Sequence, residues 1–550
     1  GIAVAEASVK SLQRGELKDL LPLVLPRAAG ICADGAAPEF LRARAFAALT
    51  KSGDVICELH KQDVPDMLRA AAAGLAIGGP LTVRVCALRA FCRFLSKVDS
   101  EPASKLLVDH GVLASLGNLV QGADDELLHL ALECLCVIVR LLPRAMVSVG
   151  GSLAALILEI WRRSASDPLV HLQVLDLVSS CAASDPSLQR TMEEVLTPAV
   201  LADLQPAVDP IATASAVELY GVLLKRAAVP LQQRLWDCSA PLLEVVLRSD
   251  ESRLLQNACE SLVCLVQRAP QQIVDGGLLE KLLLGLSHLL GPELDDDACF
   301  FVGPLAMLIL SQYGSTLPAH LTVGLLRALV TRLGRAERQY LQQELIVVCA
   351  RLLYEDLQGV LAALAGMSVP AGGKEANGLE LLLTIWLRNT REIRARRARN
   401  VSISALCRLY TRCLEDEQLR SLRPGADVPL PEQLLAAIVV GLEFENERCR
   451  KLREQKHAAV DSDEEDDDDD DEEIDSDDDR QGLKGGRLLS DLLDLEDFDD
   501  DDGDVEGFEG DTFQQLEQAD PLASLDIRQV ALEHLVQHAG GAAGQPELAS

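Results

Sequence analysis

The 550-residue sequence predicts an all-α fold, a solenoid of stacked helix pairs interrupted near its C-terminal end by a long acidic insertion. Three observations predict this fold class. Hydrophobic residues make up 48% of the chain and aromatic residues only 3%, so the core must consist of Leu, Ala and Val, which suit helix packing. Helix-start signals recur at nearly constant intervals along most of the chain. One later stretch consists almost entirely of Asp and Glu.

The interval between helix starts identifies the type of repeat. The starts, placed from Pro, acidic and turn residues, are 41 to 44 residues apart, which is the period of HEAT and armadillo helix pairs. They fall at Glu39, Leu81, Asp124, Pro168, Pro210, Glu251, Asp295 and Ala336. We therefore predict a superhelical HEAT-repeat solenoid of about ten helix pairs over residues 1–457, in which each repeat is stabilised by its neighbours.

Five of these repeats align residue by residue and define a candidate binding position. One column is small and one is large, as interhelical packing requires. The small column is Ala87, Ala131, Val174, Ala216 and Ala258, and the large one is Phe91, Leu135, Val178, Tyr220 and Leu262. The polar position between them holds Arg89, Glu133, Asp176, Glu218 and Glu260. Its four carboxylates predict a ladder that binds a cationic cargo. The alternative is a row of good helix formers that face water.

The acidic insertion carries most of the charge of the chain. Residues 461–511 contain 28 acidic and three basic residues, a net charge of −25, which leaves −9 of the total −34 for the other 499 residues. Like charges repel and nothing apolar can be buried in the densest run, so we predict a disordered insertion over residues 458–519. It is either a solubilising spacer or a flexible anion that binds basic cargo, with candidate ligands Asp461, Asp463, Glu464, Glu465, Asp466 and Asp467.

Three further features lie in or after this insertion. Ser462 and Ser476 each precede three acidic residues and are candidate phosphorylation sites. A short amphipathic segment is predicted at 486–498; it contains LLDLE, a match to a clathrin-box pattern that is frequent by chance in such sequence. Residues 520–540 are predicted to form a terminal helix that packs on the last repeat through the stripe Leu522, Leu525, Val530, Leu532 and Leu535. The insertion would then be a loop held at both ends.

A basic segment precedes the insertion. Arg388, Arg391, Arg394 and Arg397 recur every third residue. The bland interpretation is a solvated face. The functional ones are docking of the chain's own acidic loop, which the charge of that loop favours, or contact with acidic cargo or nucleic acid.

Composition and motifs exclude several function classes. The net charge of −34 argues against nucleic acid as the main ligand. The 15 cysteines lack metal-site spacing and indicate buried, reduced thiols, hence cytosol or nucleus. His534 and His538 are spaced like metal ligands but lack a third ligand. The longest apolar run, Ala298–Leu310, is too short to span a bilayer. Phosphate-binding, nucleophile and zinc-protease motifs are missing, so we expect neither an enzyme nor a cofactor.

The C-terminal end also carries a resemblance to a known family. The segment GLKGGRLLSDLL, an acidic stretch and DPLASLDIRQVALEHLVQHA resemble the C-terminal end of nuclear import receptors of the karyopherin-β family. Weaker similarity extends upstream through LLQNACESLVCLV, NGLELLLTIWLRN and VSISALCRL. The resemblance implies a receptor that shuttles between cytoplasm and nucleus, contacts nucleoporins, binds histones and ribosomal proteins on its concave face and releases them to Ran-GTP.

Because the chain opens at Gly1 rather than Met, we expect it to be the later half of such a receptor, with most Ran contacts in the missing N-terminal part. Two other classes stay open. One is a vesicle-coat adaptin-like trunk with a clathrin-box hinge, which would continue into a β-rich appendage. The other is an acidic histone chaperone or scaffold, which would not release cargo to Ran-GTP.

Overall fold

The computed structural model describes residues 14–121, 125–164, 167–206, 208–371, 374–463, 522 and 525–539. In this part of the chain nearly every element is a helix, and two compact units divide it, residues 1–315 and 316–550. The α-helices of the first unit are Arg14–Ala33, Glu39–Lys51, Gly53–Leu59, Val64–Gly74, Leu81–Leu95, Ser100–Asp109, Val112–Gln121, Asp125–Leu141, Pro143–Val147, Gly150–Arg163, Pro168–Ser184, Pro186–Asp203, Pro210–Arg226, Gln233–Asp237, Ser239–Arg248, Ser252–Arg268, Pro270–Asp275, Leu279–Leu289 and Val302–Tyr313.

The helices of the first unit form two layers, as a HEAT-type solenoid requires. In layer 1, each helix packs on the next in chain order: Glu39–Lys51, Leu81–Leu95, Asp125–Leu141, Pro168–Ser184, Pro210–Arg226, Ser252–Arg268 and Val302–Tyr313. Layer 2 covers one side of layer 1 and contains Val64–Gly74, Val112–Gln121, Gly150–Arg163, Pro186–Asp203, Ser239–Arg248 and Leu279–Leu289. The predicted all-α repeat fold is confirmed.

Side chains just before the helices explain several of the predicted starts. The Asp167 carboxylate accepts hydrogen bonds from the backbone N–H groups of Leu169 (2.9 Å) and Val170 (3.2 Å), and Asp209 and Glu251 cap the next two layer-1 helices in the same way. These caps satisfy donors that a helix leaves unpaired at its first turn.

Two predicted starts are wrong. At Asp295 the carboxylate instead accepts a hydrogen bond from the N–H of Ala298 (2.9 Å) in a turn, and the helix begins at Val302. The start placed at Ala336 lies at Gln339.

The two apolar columns form the interior, as predicted. All five residues of the small column are 0% exposed, and the large column is at most 2% exposed. Packing at this seam is close, because a Cβ atom added at Gly221 would come within 2.7 Å of Ser261 Oγ. Ser261 Oγ donates a hydrogen bond to the carbonyl of Val217, 44 residues earlier (3.2 Å), so the seam joins successive repeats.

The second unit contains the α-helices Ala319–Leu333, Gln339–Glu355, Leu357–Ala365, Gly378–Asn389, Arg396–Glu415, Glu417–Ser421, Leu430–Asp463 and Ile527–Ala539. It also contains a β-hairpin, so the expectation of a fold without sheet is wrong at this place. Strands β1 (Ser368–Ala371) and β2 (Lys374–Asn377) pair antiparallel, with Ser368 opposite Asn377. Two consecutive glycines in the sequence, Gly372 and Gly373, join them. Val369 is buried, and Arg327 donates a hydrogen bond to the Ser368 carbonyl (3.5 Å), which anchors the hairpin to a helix.

The terminal helix packs on Arg396–Glu415 and Leu430–Asp463. It begins at Ile527 rather than near residue 520, because the Asp526 side chain caps it by accepting from the Arg528 N–H (3.0 Å). Its apolar stripe also differs from the predicted one. Ile527 and Ala531 are buried, whereas Leu532 is 61% exposed. The chain before the helix is anchored as well, since Asn400 Nδ2 donates a hydrogen bond to the carbonyl of Leu525 (3.1 Å).

A buried ion pair joins two helices of this unit. Arg399 Nη2 lies 2.8 Å from Glu445 Oε2, and both side chains are less than a tenth exposed. Arg448 lies 2.6 Å from the other carboxylate oxygen. Although burial acts in the opposite direction, the two guanidinium groups hold the pKa of Glu445 below its ordinary value.

The 14 cysteines in the described part of the chain are free thiols, and 13 of them are buried, as predicted. Burial raises the pKa of the Cys136 and Cys181 thiols to about 12, so they remain protonated and unreactive at neutral pH. None of the helices in the described part combines the length and apolar character needed to cross a membrane.

Candidate functional site

The four predicted ladder carboxylates occupy equivalent positions on four successive layer-1 helices. Glu133, Asp176, Glu218 and Glu260 each follow the buried small-column residue of their helix by two positions. Asp176 is exposed, and the other three are partly exposed. The repeat architecture thus places one carboxylate per repeat in a row, and binding of cargo by that row stays a prediction.

The two later carboxylates of the row already have partners. Glu218 Oε2 lies 2.8 Å from His171 Nε2 on the preceding helix, and its Oε1 accepts a hydrogen bond from Asn257 Nδ2 on the following helix (2.5 Å). Glu260 Oε1 lies 2.8 Å from Lys225 Nζ on the preceding helix. A cationic ligand must therefore compete with these groups for both carboxylates.

The two earlier carboxylates also have basic neighbours. Loss of hydration raises the pKa of Glu133 and of Asp176, while Arg89 and Arg140 on the preceding helices act in the opposite direction. In each case the basic group belongs to the repeat before. The row is therefore a set of carboxylates flanked by basic side chains, which the alignment of equivalent positions could not show.

The structure also exposes apolar side chains that sequence reasoning had not singled out. Leu169, Leu172 and Ile211 lie within the first five residues of two adjacent layer-1 helices and are 54% to 63% exposed. Leu169 and Ile211 lie five residues before the buried small-column residue of their helix, and Leu172 lies two residues before it. These spacings place the three side chains on the helical face opposite the packed seam, so the sequence could have identified them.

The four arginines of the basic stripe do not share one helix. Arg388 lies at the end of Gly378–Asn389, and Arg391 lies in the short 3₁₀ turn that follows. Arg394 precedes the helix Arg396–Glu415, which contains Arg397. Regular spacing in the sequence is therefore not a helical face here, because the chain turns between the helices.

The acidic tract lies mostly outside the described residues. Asp461, Ser462 and Asp463 belong to the helix Leu430–Asp463, which continues six residues beyond the boundary placed at 457. Glu464, Glu465, Asp466, Asp467, Ser476 and the segment 486–498 lie outside the described part of the chain.

Within the described residues, no cluster of three His, Cys, Asp or Glu side chains could hold a metal ion. His534, weighed above as a ligand, instead lies 3.2 Å from Thr411 Oγ1 through its Nδ1 atom. The side chain of His538, the other histidine weighed as a metal ligand, lies outside the described part of the structure.

Comparison with known proteins identifies the family. Residues 213–545 match the family model described as importin-11-like, TPR repeats. The chain belongs to the importin-β family. Its repeats are nevertheless of the HEAT type, because the layer-1 helices from Glu39–Lys51 to Ser252–Arg268 begin 42 to 44 residues apart, which exceeds the 34 of a TPR unit.

Two relatives show the same similarity. This importin-family chain is 26% identical over 315 residues to importin subunit beta-5 of Schizosaccharomyces pombe, covering 56% of the chain and 31% of the relative. It is 22% identical over 339 residues to importin-9 of Drosophila melanogaster, covering 60% and 33%. The chain thus spans about a third of the length of these relatives. Among solved structures, Kap121p gives a TM-score of 0.45 at 15% identity, over 79% of this chain and 43% of Kap121p.

Proposed function

We propose that this chain is the cargo-binding portion of a nuclear import receptor that carries basic proteins, such as histones and ribosomal proteins, and yields them to Ran-GTP. Membership of the importin-β family supports transport, and the recurrence of a carboxylate in four successive repeats supports a basic cargo. The receptor would shuttle between cytoplasm and nucleus through contacts with nucleoporins. It would carry out no reaction and need no cofactor.

Two anionic elements would act on the cargo in different ways. The ladder Glu133, Asp176, Glu218 and Glu260 would make short-range contacts by exchanging its present basic partners for those of the cargo. The tract 461–479 would attract cargo over longer distances. Long-range attraction acts mainly on the association rate and weakens once the Debye length falls to about 8 Å at physiological ionic strength.

The basic stripe would offer the acidic tract an internal docking site as an alternative to the cargo. Arg388, Arg391 and Arg394 are exposed close to the helix that leads into the tract, so the tract would dock there when cargo is absent. Cargo and stripe would then compete for the same carboxylates. Replacing the three arginines by Ala should therefore strengthen binding of basic cargo if the docking occurs.

Release by Ran-GTP separates a transport receptor from a chaperone or scaffold. The experiment uses the full-length protein that contains this chain, loaded with a fluorescent core histone, and measures cargo release on addition of Ran-GTP. Ran-GDP is the matched control. Release by Ran-GTP alone supports the proposal, and retention of cargo with both nucleotides would contradict it.

The role of the tract is tested by replacing residues 464–479 with a Gly/Ser linker of equal length, which leaves the helix Leu430–Asp463 intact. The association rate with the histone should fall about tenfold at low salt and less at high salt. An equal association rate at low salt would show that the tract is only a spacer.

A further inference from the structure

The terminal helix Ile527–Ala539 is held by a small contact. It packs chiefly on the helix Arg396–Glu415. Two of its described side chains, those of residues 527–534, are buried, and these are Ile527 and Ala531. By comparison, the layer-1 helix Ser252–Arg268 buries ten of its 17 residues. Because burial of apolar side chains is the main force that holds a helix in place, the terminal helix is docked more weakly than the helices of the repeats.

The face that the terminal helix covers is polar. Asn400 Nδ2 donates a hydrogen bond to the carbonyl of Leu525 (3.1 Å), and Thr411 Oγ1 lies 3.2 Å from His534 Nδ1. Ser404 lies on the same face, because it follows Asn400 by four residues and precedes Thr411 by seven. Its hydroxyl is buried and has no hydrogen-bond partner among the described residues. Docking therefore removes water from this hydroxyl without replacing its hydrogen bonds, which weakens the contact.

The position of the terminal helix in the chain gives this weak contact a consequence. The acidic insertion connects Asp463, the last residue of its helix, to Leu522, just before the terminal helix. While the terminal helix is docked, the insertion is a loop held at both ends. When the helix undocks, all residues after Asp463 form a tail held at one end.

Undocking changes the reach of the second acidic run of the insertion, residues 494–511, which contains 11 Asp or Glu residues. Asp502, in the middle of this run, is 20 residues from Leu522 and 39 residues from Asp463. An extended chain spans at most about 3.5 Å per residue, so loss of the nearer anchor raises the reach of Asp502 from about 70 Å to about 140 Å.

We propose that the terminal helix is a detachable strap, which opens without unfolding of the repeats and switches the acidic insertion between a closed loop and an open tail. The strap is the helix Ile527–Ala539. The inference goes beyond the proposed function, because it concerns the geometry of the insertion whatever ligand the insertion binds.

Native-state hydrogen exchange on the 550-residue chain tests whether the strap opens by itself. Amides of the strap should exchange about a hundredfold faster than those of Arg396–Glu415, because local opening breaks the contact between the two helices and leaves the repeat folded. Equal protection of the two helices would overturn the proposal, since the strap would then open only together with the repeat.

Ser404→Ala tests the polar contact. Removal of the uncompensated hydroxyl should raise the protection of the strap about threefold to tenfold and leave that of Gln339–Glu355 unchanged. The matched control is Ser402→Ala on the same helix. The Ser402 hydroxyl is also buried, but it accepts a hydrogen bond from Trp386 Nε1 (2.8 Å), so its loss should not raise the protection of the strap. Unchanged protection in Ser404→Ala would contradict the contact on which the proposal rests.

The switch itself is tested by cutting the insertion. A seven-residue protease recognition sequence replaces residues 481–487, and after cleavage the fragment that contains residues 488–550 is held by the strap contact. We expect gel filtration to show this fragment bound at about 10 µM protein and lost at about 0.1 µM. Ile527→Ala should shift the loss to about tenfold higher concentration, whereas Leu532→Ser, at a side chain that is 61% exposed, should not.

Two results of the cleavage experiment would overturn the proposal. A fragment that stays bound at nanomolar concentration, in the native sequence and in Ile527→Ala alike, would show that the strap does not detach. A fragment that is lost at every concentration would show that the strap contact does not hold the insertion as a closed loop.

Discussion

The buried pair between Arg399 and Glu445 gives the sharpest test of how the second unit is held together. Glu445→Gln removes the negative charge opposite the guanidinium of Arg399, whose side chain is only 6% exposed and which also donates a hydrogen bond to the carbonyl of Arg394 (2.9 Å). Breaking a buried ion pair by removing one partner costs about 3–5 kcal/mol. Because the Gln side chain can still accept one hydrogen bond, we expect a loss near the lower end of that range, about 3 kcal/mol.

Native-state hydrogen exchange is the appropriate assay, because a repeat protein opens locally and has no single unfolding free energy. A loss of about 3 kcal/mol lowers protection of Arg396–Glu415 roughly a hundredfold. The matched control is Arg448→Gln. Arg448 contacts the same carboxylate, but its side chain is 36% exposed, so its loss should cost at most about 1 kcal/mol. Replacing both buried partners, by R399M/E445L, should restore much of the protection, since no unpaired charge remains buried.

The stabilisation by the pair Arg399 and Glu445 should depend on pH with a definite sign. The pKa of Glu445 in the folded chain lies below its ordinary value of 4.5. The ionised carboxylate therefore stabilises the fold above that ordinary value, and this contribution is lost as the pH falls through the lower folded-state pKa. The gap in protection between the native chain and the Glu445→Gln variant should shrink below about pH 4.5. A gap of less than about 1 kcal/mol at pH 7, or one that is constant down to acid pH, would refute the reasoning.

Three more predictions concern packing. Gly441→Ala should destabilise the contact between Leu430–Asp463 and Arg396–Glu415 by about 1–3 kcal/mol, because the added methyl group would overlap the Ile403 side chain. Hydrogen exchange measures this loss, and unchanged exchange would show that the contact has room for the methyl group. Ile527→Ala should weaken the packing of the terminal helix by about 2–4 kcal/mol and expose this helix to limited proteolysis, whereas Leu532→Ser should do neither. Equal cleavage of the two variants would contradict the packing described. Tyr220→Phe should lower the protection of Pro210–Arg226 in hydrogen exchange by about 1 kcal/mol, since its buried hydroxyl is hydrogen-bonded to Ser239 (3.0 Å). Unaltered protection would count against that bond.

Sequence alone determined the repeat, because its signals are local. An N-cap such as Asp167 or Asp209 acts within three residues, and the spacing of small and large apolar residues acts within one helix. Both recur every 41 to 44 residues, so the period, the seam columns and the position of the carboxylate row follow without tertiary information. The same locality explains the error at Asp295, since an acidic residue caps a turn as readily as a helix.

Tertiary structure alone decided which groups meet between repeats. The partner of Glu218 is His171, 47 residues earlier, while that of Glu260 is Lys225, 35 residues earlier, so the offset depends on how each pair of helices stacks. For the same reason, nothing in the sequence distinguishes Arg399 from the other arginines between positions 388 and 399, yet it is buried against a carboxylate 46 residues away. Leu532 looked like core and faces outward, because the stacking of the last helix sets which of its faces is covered. Local chemistry determines where helices begin, and packing between repeats determines which side chains remain available for binding.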